Sequence, residues 1–140
     1  MTSNDLEQAY GRTLIALAAA DVTGITENEK EMIDRLFGEL GFAEETRTSA
    51  WNATRDTADV IRGLATIQDP VRRRALIKDL VLLAHADGEY TSEERAFIQG
   101  VNEAFGHRQE FVARVEDWVR RGDAWQQEGV DLCTVGASAS

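Results

Sequence analysis

Two segments of this chain repeat one another, and that duplication limits the fold more than any other feature. Leu17-Ala18-Ala19-Ala20-Asp21 parallels Leu83-Ala84-His85-Ala86-Asp87. Beyond a turn one residue longer in the first copy, Ile25-Thr26-Glu27-Asn28-Glu29-Lys30 parallels Tyr90-Thr91-Ser92-Glu93-Glu94-Arg95. Ile33, Leu36, Leu40 and Gly41 then correspond to Ile98, Val101, Phe105 and Gly106. The offset is 66 residues at Asp21 and Asp87 and 65 at Glu29 and Glu94. Each copy reads as a helix, a short acidic turn and a second helix. Neither can bury its apolar stripe alone, so the two must close a common core, and a pseudo-twofold arrangement is expected.

The apolar spacing is helical throughout. Ile33, Leu36, Phe37 and Leu40 follow the i, i+3, i+4, i+7 pattern of a half-buried helix. Similar stripes run through Ile77, Leu80, Val81 and Ala84, through Phe97, Ile98, Val101 and Phe105, and through Phe111, Val112, Val115, Trp118 and Val119. Trp51, Ala58, Ile61 and Ala65 suggest a further one, and no stretch alternates like a strand. Gly41 and Gly106 stand where left-handed helix caps are wanted. Asp69-Pro70 is an N-cap followed by proline at the first helical position. The spacing predicts helices near 4–20, 26–40, 44–56, 57–67, 70–86, 91–105 and 108–121. The expected fold is therefore all-α, a compact bundle of six or seven helices made from two helix–acidic turn–helix units. Residues 1–122 are read as the domain and 123–140 as a partly disordered tail, with Gly122 ending the last helix. Trp125 and Leu132 are expected to pin the start of that tail to the body.

At 140 residues the chain suits one domain with a real core. Its formal net charge of −10 argues against binding nucleic acid or an anionic membrane, both of which call for basic surface. Cations, or protein partners with basic patches, are the natural ligands, although the charge also serves solubility. The longest apolar runs, Leu14 to Ala20 and Leu80 to Ala84, are too short to span a bilayer, so no membrane insertion is expected. Met1 to Asp5 lacks the basic and apolar regions of a secretory signal. Cys133 is the one cysteine, which fits a cytoplasmic setting.

The acidic residues of the turns carry what chemistry there is. Thr26-x-x-Glu29 and Thr91-x-x-Glu94 both fit the capping box, which accounts for these two glutamates on structural grounds alone. Asp21 and Asp87 fall instead at the C-terminal poles of their helices, where a carboxylate is disfavoured by the dipole. Two readings follow. One is a turn-forming aspartate, with Asp87-Gly88 as a reverse turn. The other is a cation that compensates the same misplacement in both copies. Carboxylates and helix-end carbonyls are hard oxygen donors suited to calcium, magnesium or manganese. His85, His107 and Cys133 do not make a zinc set. Neither turn is an EF-hand: counting from Asp87, the sixth position is Ser92 and the twelfth Ile98, and counting from Asp21 the twelfth is Met32. His85 reads as a helix-terminal imidazole, since its counterpart in the first copy is Ala19.

Ala86-Asp87-Gly88-Glu89-Tyr90-Thr91-Ser92-Glu93-Glu94, and its longer relative from Ala20 to Glu29, resemble the signature of the tellurite-resistance TerB family. The resemblance covers Leu14 to Gly106 and extends loosely to Val119. It implies an all-helical domain linked to tellurite resistance and stress response. It also implies a divalent cation held by Asp21, Glu29, Asp87 and Glu94. Three functional classes are then open. A non-enzymatic cation-binding module ranks first and a metal-free protein-interaction scaffold second. An enzyme ranks last, because the chain has no nucleophile elbow, phosphate-binding glycine loop or His-rich cluster.

Overall fold

A computed structural model describes residues 3–20, 24–53, 56–86 and 90–139, with side chains from 5 to 133 within those spans. Among the described residues the chain forms α1 (Ser3–Ala19), α2 (Glu27–Leu40), α3 (Glu44–Asn52), α4 (Thr57–Gly63) with a 3₁₀ turn at Leu64–Thr66, α5 (Pro70–Ala84), α6 (Ser92–Ala104) and α7 (Glu110–Ala139). The all-α bundle expected from the repeat is what forms.

The local signals act as their chemistry requires. Thr26 and Thr91 cap α2 and α6. Both helices also stop in the same way. Gly41 takes φ 74° and Gly106 φ 77°, conformations that cost a β-carbon-bearing residue energy. The residue after each glycine then closes a bond five residues back, Phe42 N–H to Phe37 O at 3.0 Å and His107 N–H to Asn102 O at 3.1 Å. This is the Schellman arrangement, and it satisfies carbonyls that would otherwise be orphaned. Asp69 caps α5 through the Val71 N–H at 3.1 Å, ahead of Pro70.

The first helix of each unit lies innermost. On α1, Tyr10, Leu14, Ile15 and Leu17 are fully buried, and on α5 so are Leu76, Ile77, Leu80 and Leu83. A helix apolar on most of its circumference must be surrounded. Accordingly α1 touches α2, α3, α4, α5 and α6, and α5 touches α1, α2, α6 and α7. Each fully buried leucine or isoleucine contributes about 1.5–3 kcal/mol. The outer helices α2 and α6 bury one stripe each, Ile33, Leu36 and Phe37 on the former and Phe97, Ile98 and Val101 on the latter.

Two expectations fail, both at the C-terminal end. Gly122 does not stop the last helix: α7 runs on through Gly129 to Ala139. Neither glycine adopts positive φ, and no proline follows, so nothing forces the chain out of helix. A mid-helix glycine costs only about 1 kcal/mol relative to alanine. The pairs Arg121–Asp117 at 3.1 Å and Gln127–Asp131 at 3.0 Å support the continuation. Nor are Trp125 and Leu132 pinned to the body. Each is 73% exposed, because a helix that continues straight cannot fold back. Every described residue from Arg120 to Cys133 is exposed, so α7 leaves the body after Val119.

Candidate functional site

The turn between α1 and α2 and the turn between α5 and α6 each lead into an identically built helix start. In the first, the Thr26 N–H donates to Glu29 Oε1 at 3.0 Å and the Glu29 N–H donates to Thr26 Oγ1 at 3.1 Å. In the second, the Thr91 N–H donates to Glu94 Oε1 at 2.9 Å and the Glu94 N–H to Thr91 Oγ1 at 3.1 Å. Glu29 and Glu94 are each only 1% exposed. A carboxylate buried this far is tolerable because the first-turn amides and the helix dipole both favour its negative charge. The capping reading of the two glutamates therefore holds in full, and in both copies the capping bond lands on Oε1.

Asp21 and Asp87 lie outside the described residues. Among the described residues, no three Asp, Glu, His or Cys side chains come together in a group able to hold a metal ion. Glu29 and Glu94 are hard oxygen donors of the expected kind, and the set implied by the resemblance is completed only by the two aspartates.

The second turn carries more machinery than the first. His85 closes α5 by donating from Nδ1 to the Val81 carbonyl at 2.8 Å, and its ring lies against Tyr90 with centroids 4.6 Å apart. This is the helix-terminal role the sequence suggested. One residue past the Thr91–Glu94 box, Arg95 forks onto Glu116 of α7, Nε to Oε2 at 3.0 Å and Nη2 to Oε1 at 3.3 Å. Burial of Glu116 disfavours its charge, but the Arg95 hydrogen bonds, Tyr90 and the neighbouring guanidinium charges outweigh that, so its pKa lies below the usual glutamate value. The Tyr90 hydroxyl is buried beside Glu116 without a well-formed hydrogen bond, and burial, followed by that carboxylate, pushes its pKa up. The first copy has Ile25 and Lys30 at the positions of Tyr90 and Arg95, so it has no such latch.

A second buried polar pair escaped the sequence reading. Tyr10 on α1 donates to Asp79 on α5, and Lys78 Nζ stands 3.4 Å from the other Asp79 oxygen. The available signal was an aspartate flanked by Ile77, Leu80 and Val81, at a position that turns inward when a helix is buried nearly all round.

Comparison with known proteins agrees with the motif. The sequence family described as tellurite resistance protein TerB matches residues 43–117, more than half of the chain and inclusive of the second turn. A tellurite resistance protein from Nostoc punctiforme, known from its crystal structure, superposes with a TM-score of 0.70 at 21% identity, over 95% of this chain and 82% of that one. At that identity the likeness concerns the fold. No curated protein matches the chain. With the motif, the helical fold and the matched span in agreement, the chain belongs to the TerB family.

Proposed function

We propose that this chain is a non-enzymatic, divalent-cation-binding TerB-type module acting in the response to tellurite or other metal stress. The observation that carries this reading is the paired construction of the turns. Two buried glutamates, Glu29 and Glu94, are oriented in advance by the same capping box, each a few residues after an acidic turn. A donor fixed before the ion arrives loses little side-chain entropy on binding. Carboxylate oxygens select calcium, magnesium or manganese over softer metals. On this reading Asp21 and Asp87 supply the remaining negative charge, and a cytoplasmic setting goes with the lone free thiol of Cys133.

Thermal unfolding with each of the three cations tests it. A cation at a hundred times its dissociation constant stabilises the folded state by about 2.7 kcal/mol. The Asp21→Ala, Asp87→Ala double variant is expected to lose that increment. Absence of stabilisation by any of the three ions, or an equal shift in the double variant, would overturn the reading.

A scaffold role is favoured by a separate observation. Trp118, Trp125 and Leu132 on α7 are 48%, 73% and 73% exposed, a density of large apolar side chains that marks an interaction surface.

A further inference from the structure

The net charge of −10 is not spread evenly. Between α5 and α7 runs a groove of about 610 Å³ lined by Arg74, Lys78, Phe111, Arg114, Trp118 and Arg121, with Asp117 as its one acid. Four cations over an aromatic floor form a basic strip on an acidic protein. Beyond Arg121 the chain holds no lysine or arginine at all, and Asp123, Glu128 and Asp131 are its charges. That acidic half of α7 projects from the body with every described side chain exposed as far as Cys133. One end of α7 thus complements the other.

The apolar residues of α7 are ordered as well. Phe111, Trp118, Trp125 and Leu132 recur every seven residues, and Gly122 and Gly129 each follow a tryptophan by four. Large residues and glycines therefore share one helix face. Neither glycine has positive φ, and a β-carbon at either would meet nothing within 4 Å among the described residues. The isolated chain has no need of them, and together they cost its helix about 2 kcal/mol relative to alanine. They leave this face open enough for a bulky side chain from outside to approach the backbone.

We propose that two copies of this chain pair antiparallel through the projecting halves of α7. Trp125 seats over the partner's Gly122 and Trp118 over the partner's Gly129. In that register Arg121 flanks the partner's Glu128, and the pair occurs twice by symmetry. Leu132 and Asp131 of each helix then lie over the basic groove of the other copy, near Val115 and Arg114. The intrachain Arg121–Asp117 contact is exposed and contributes little, so exchanging it for the new pair is inexpensive. The partner of the acidic tail is a second copy of the chain.

Sedimentation equilibrium of the full chain across a concentration series at low and high salt tests this. The expected result is a dimer that weakens as salt rises. Trp125→Asp gives a monomer with an unchanged circular dichroism spectrum, since Trp125 is 73% exposed and takes no part in the hydrophobic core. Arg121→Glu and Glu128→Arg each weaken the dimer by about tenfold or more, and the double reversal restores it. Cys133 reports the direction of pairing. The proposed register holds Cys133 opposite the partner's residue 114, so the two thiols stand about 28 Å apart and mild oxidation does not link the copies. A chain monomeric at every soluble concentration overturns the proposal, even if its groove captures an acidic peptide instead. So does a dimer indifferent to Trp125→Asp, a double reversal that fails to restore pairing, or a dimer joined through Cys133.

Discussion

The Tyr10 hydroxyl donates a 2.6 Å hydrogen bond to Asp79 Oδ2, joining the two innermost helices by a polar contact that solvent hardly reaches. Tyr10 is 0% and Asp79 3% exposed, so the carboxylate has little water to replace a lost donor. Tyr10→Phe keeps the ring and removes only the hydroxyl. It is expected to lower the unfolding free energy by about 1.5–3 kcal/mol, the range for a hydrogen bond to a charged group, with no change in denaturant m-value. Urea unfolding followed by tryptophan fluorescence measures both quantities. A loss below about 0.5 kcal/mol would mean that Lys78 alone satisfies Asp79.

The same pair sets the alkaline limit of stability. Burial first, and then the Asp79 charge and hydrogen bond, raise the Tyr10 pKa far above its ordinary value. In the unfolded chain tyrosine releases its proton near pH 10, whereas in the folded chain Tyr10 keeps it. Its contribution is therefore complete below about pH 10 and is lost as pH rises beyond, by about 1.4 kcal/mol per pH unit. Tyr90, raised in the same direction, steepens the fall. Stability measured between pH 9 and 11 should decline more shallowly in Tyr10→Phe than in the native chain. Parallel slopes would show that Tyr10 ionises within the fold.

The Arg95–Glu116 latch works with the opposite sign. The folded-state pKa of Glu116 is depressed, so its contribution is present above the ordinary glutamate pKa of about 4.3 and disappears as pH falls through the folded value. Arg95→Met removes the guanidinium and leaves a carboxylate at 5% residue exposure. The expected cost near neutral pH is about 2–4 kcal/mol, chiefly for the stranded charge. At pH 4 the glutamate of the variant takes up a proton, and the gap between variant and native chain narrows. A gap that stays constant between pH 7 and pH 4 would rule the charge out as its cause.

Two helical glycines should respond to alanine in opposite directions. A β-carbon on Gly11 of α1 would stand 3.2 Å from the Phe37 ring and 3.3 Å from Ala50 Cβ, closer than normal contact, where α1 crosses its neighbours. A β-carbon on Gly38 of α2 would meet nothing within 4 Å. Both positions gain about 1 kcal/mol of helix propensity from alanine. Gly38→Ala is expected to raise stability by about 0.5–1 kcal/mol, whereas crowding of about 1–3 kcal/mol outweighs the gain in Gly11→Ala. Differential scanning calorimetry should place the two melting temperatures on opposite sides of the native value.

How much of this was legible in the chain depends on sequence distance. Thr26 and Glu29, Thr91 and Glu94, Asp69 and Pro70, and the glycines Gly41 and Gly106 act on backbone within a turn of themselves. Their geometry follows from local chemistry, and the sequence alone is enough to place them. Tyr10 and Asp79 are 69 residues apart and Arg95 and Glu116 are 21 apart. Neither pair has a local signature, because what joins them is the packing of α1 on α5 and of α6 against α7. Gly122 misled for a related reason. Glycine ends a helix only when it turns left-handed, and that choice belongs to the residues after it. Of the implied ion-binding set, Glu29 and Glu94 are placed, and Asp21 and Asp87 fall outside the described residues.

The capping boxes allow the structural and ionic roles of the two glutamates to be separated. Thr26→Ala and Thr91→Ala each remove the side-chain acceptor for a first-turn amide, at a cost of about 1 kcal/mol per helix, and leave the carboxylates in place. Glu29→Gln and Glu94→Gln do the reverse. The amide oxygen can still accept from the N-cap N–H, so the box survives with a neutral bond, while the hard anionic donor is lost. If the turns bind a cation, the Glu29→Gln, Glu94→Gln double variant melts within a few degrees of the native chain in chelator and gains nothing from calcium, magnesium or manganese. The threonine variants melt lower in chelator and still gain. Should the glutamine variant keep the full cation-dependent gain, Glu29 and Glu94 are caps alone, and any ion on this protein is held without them.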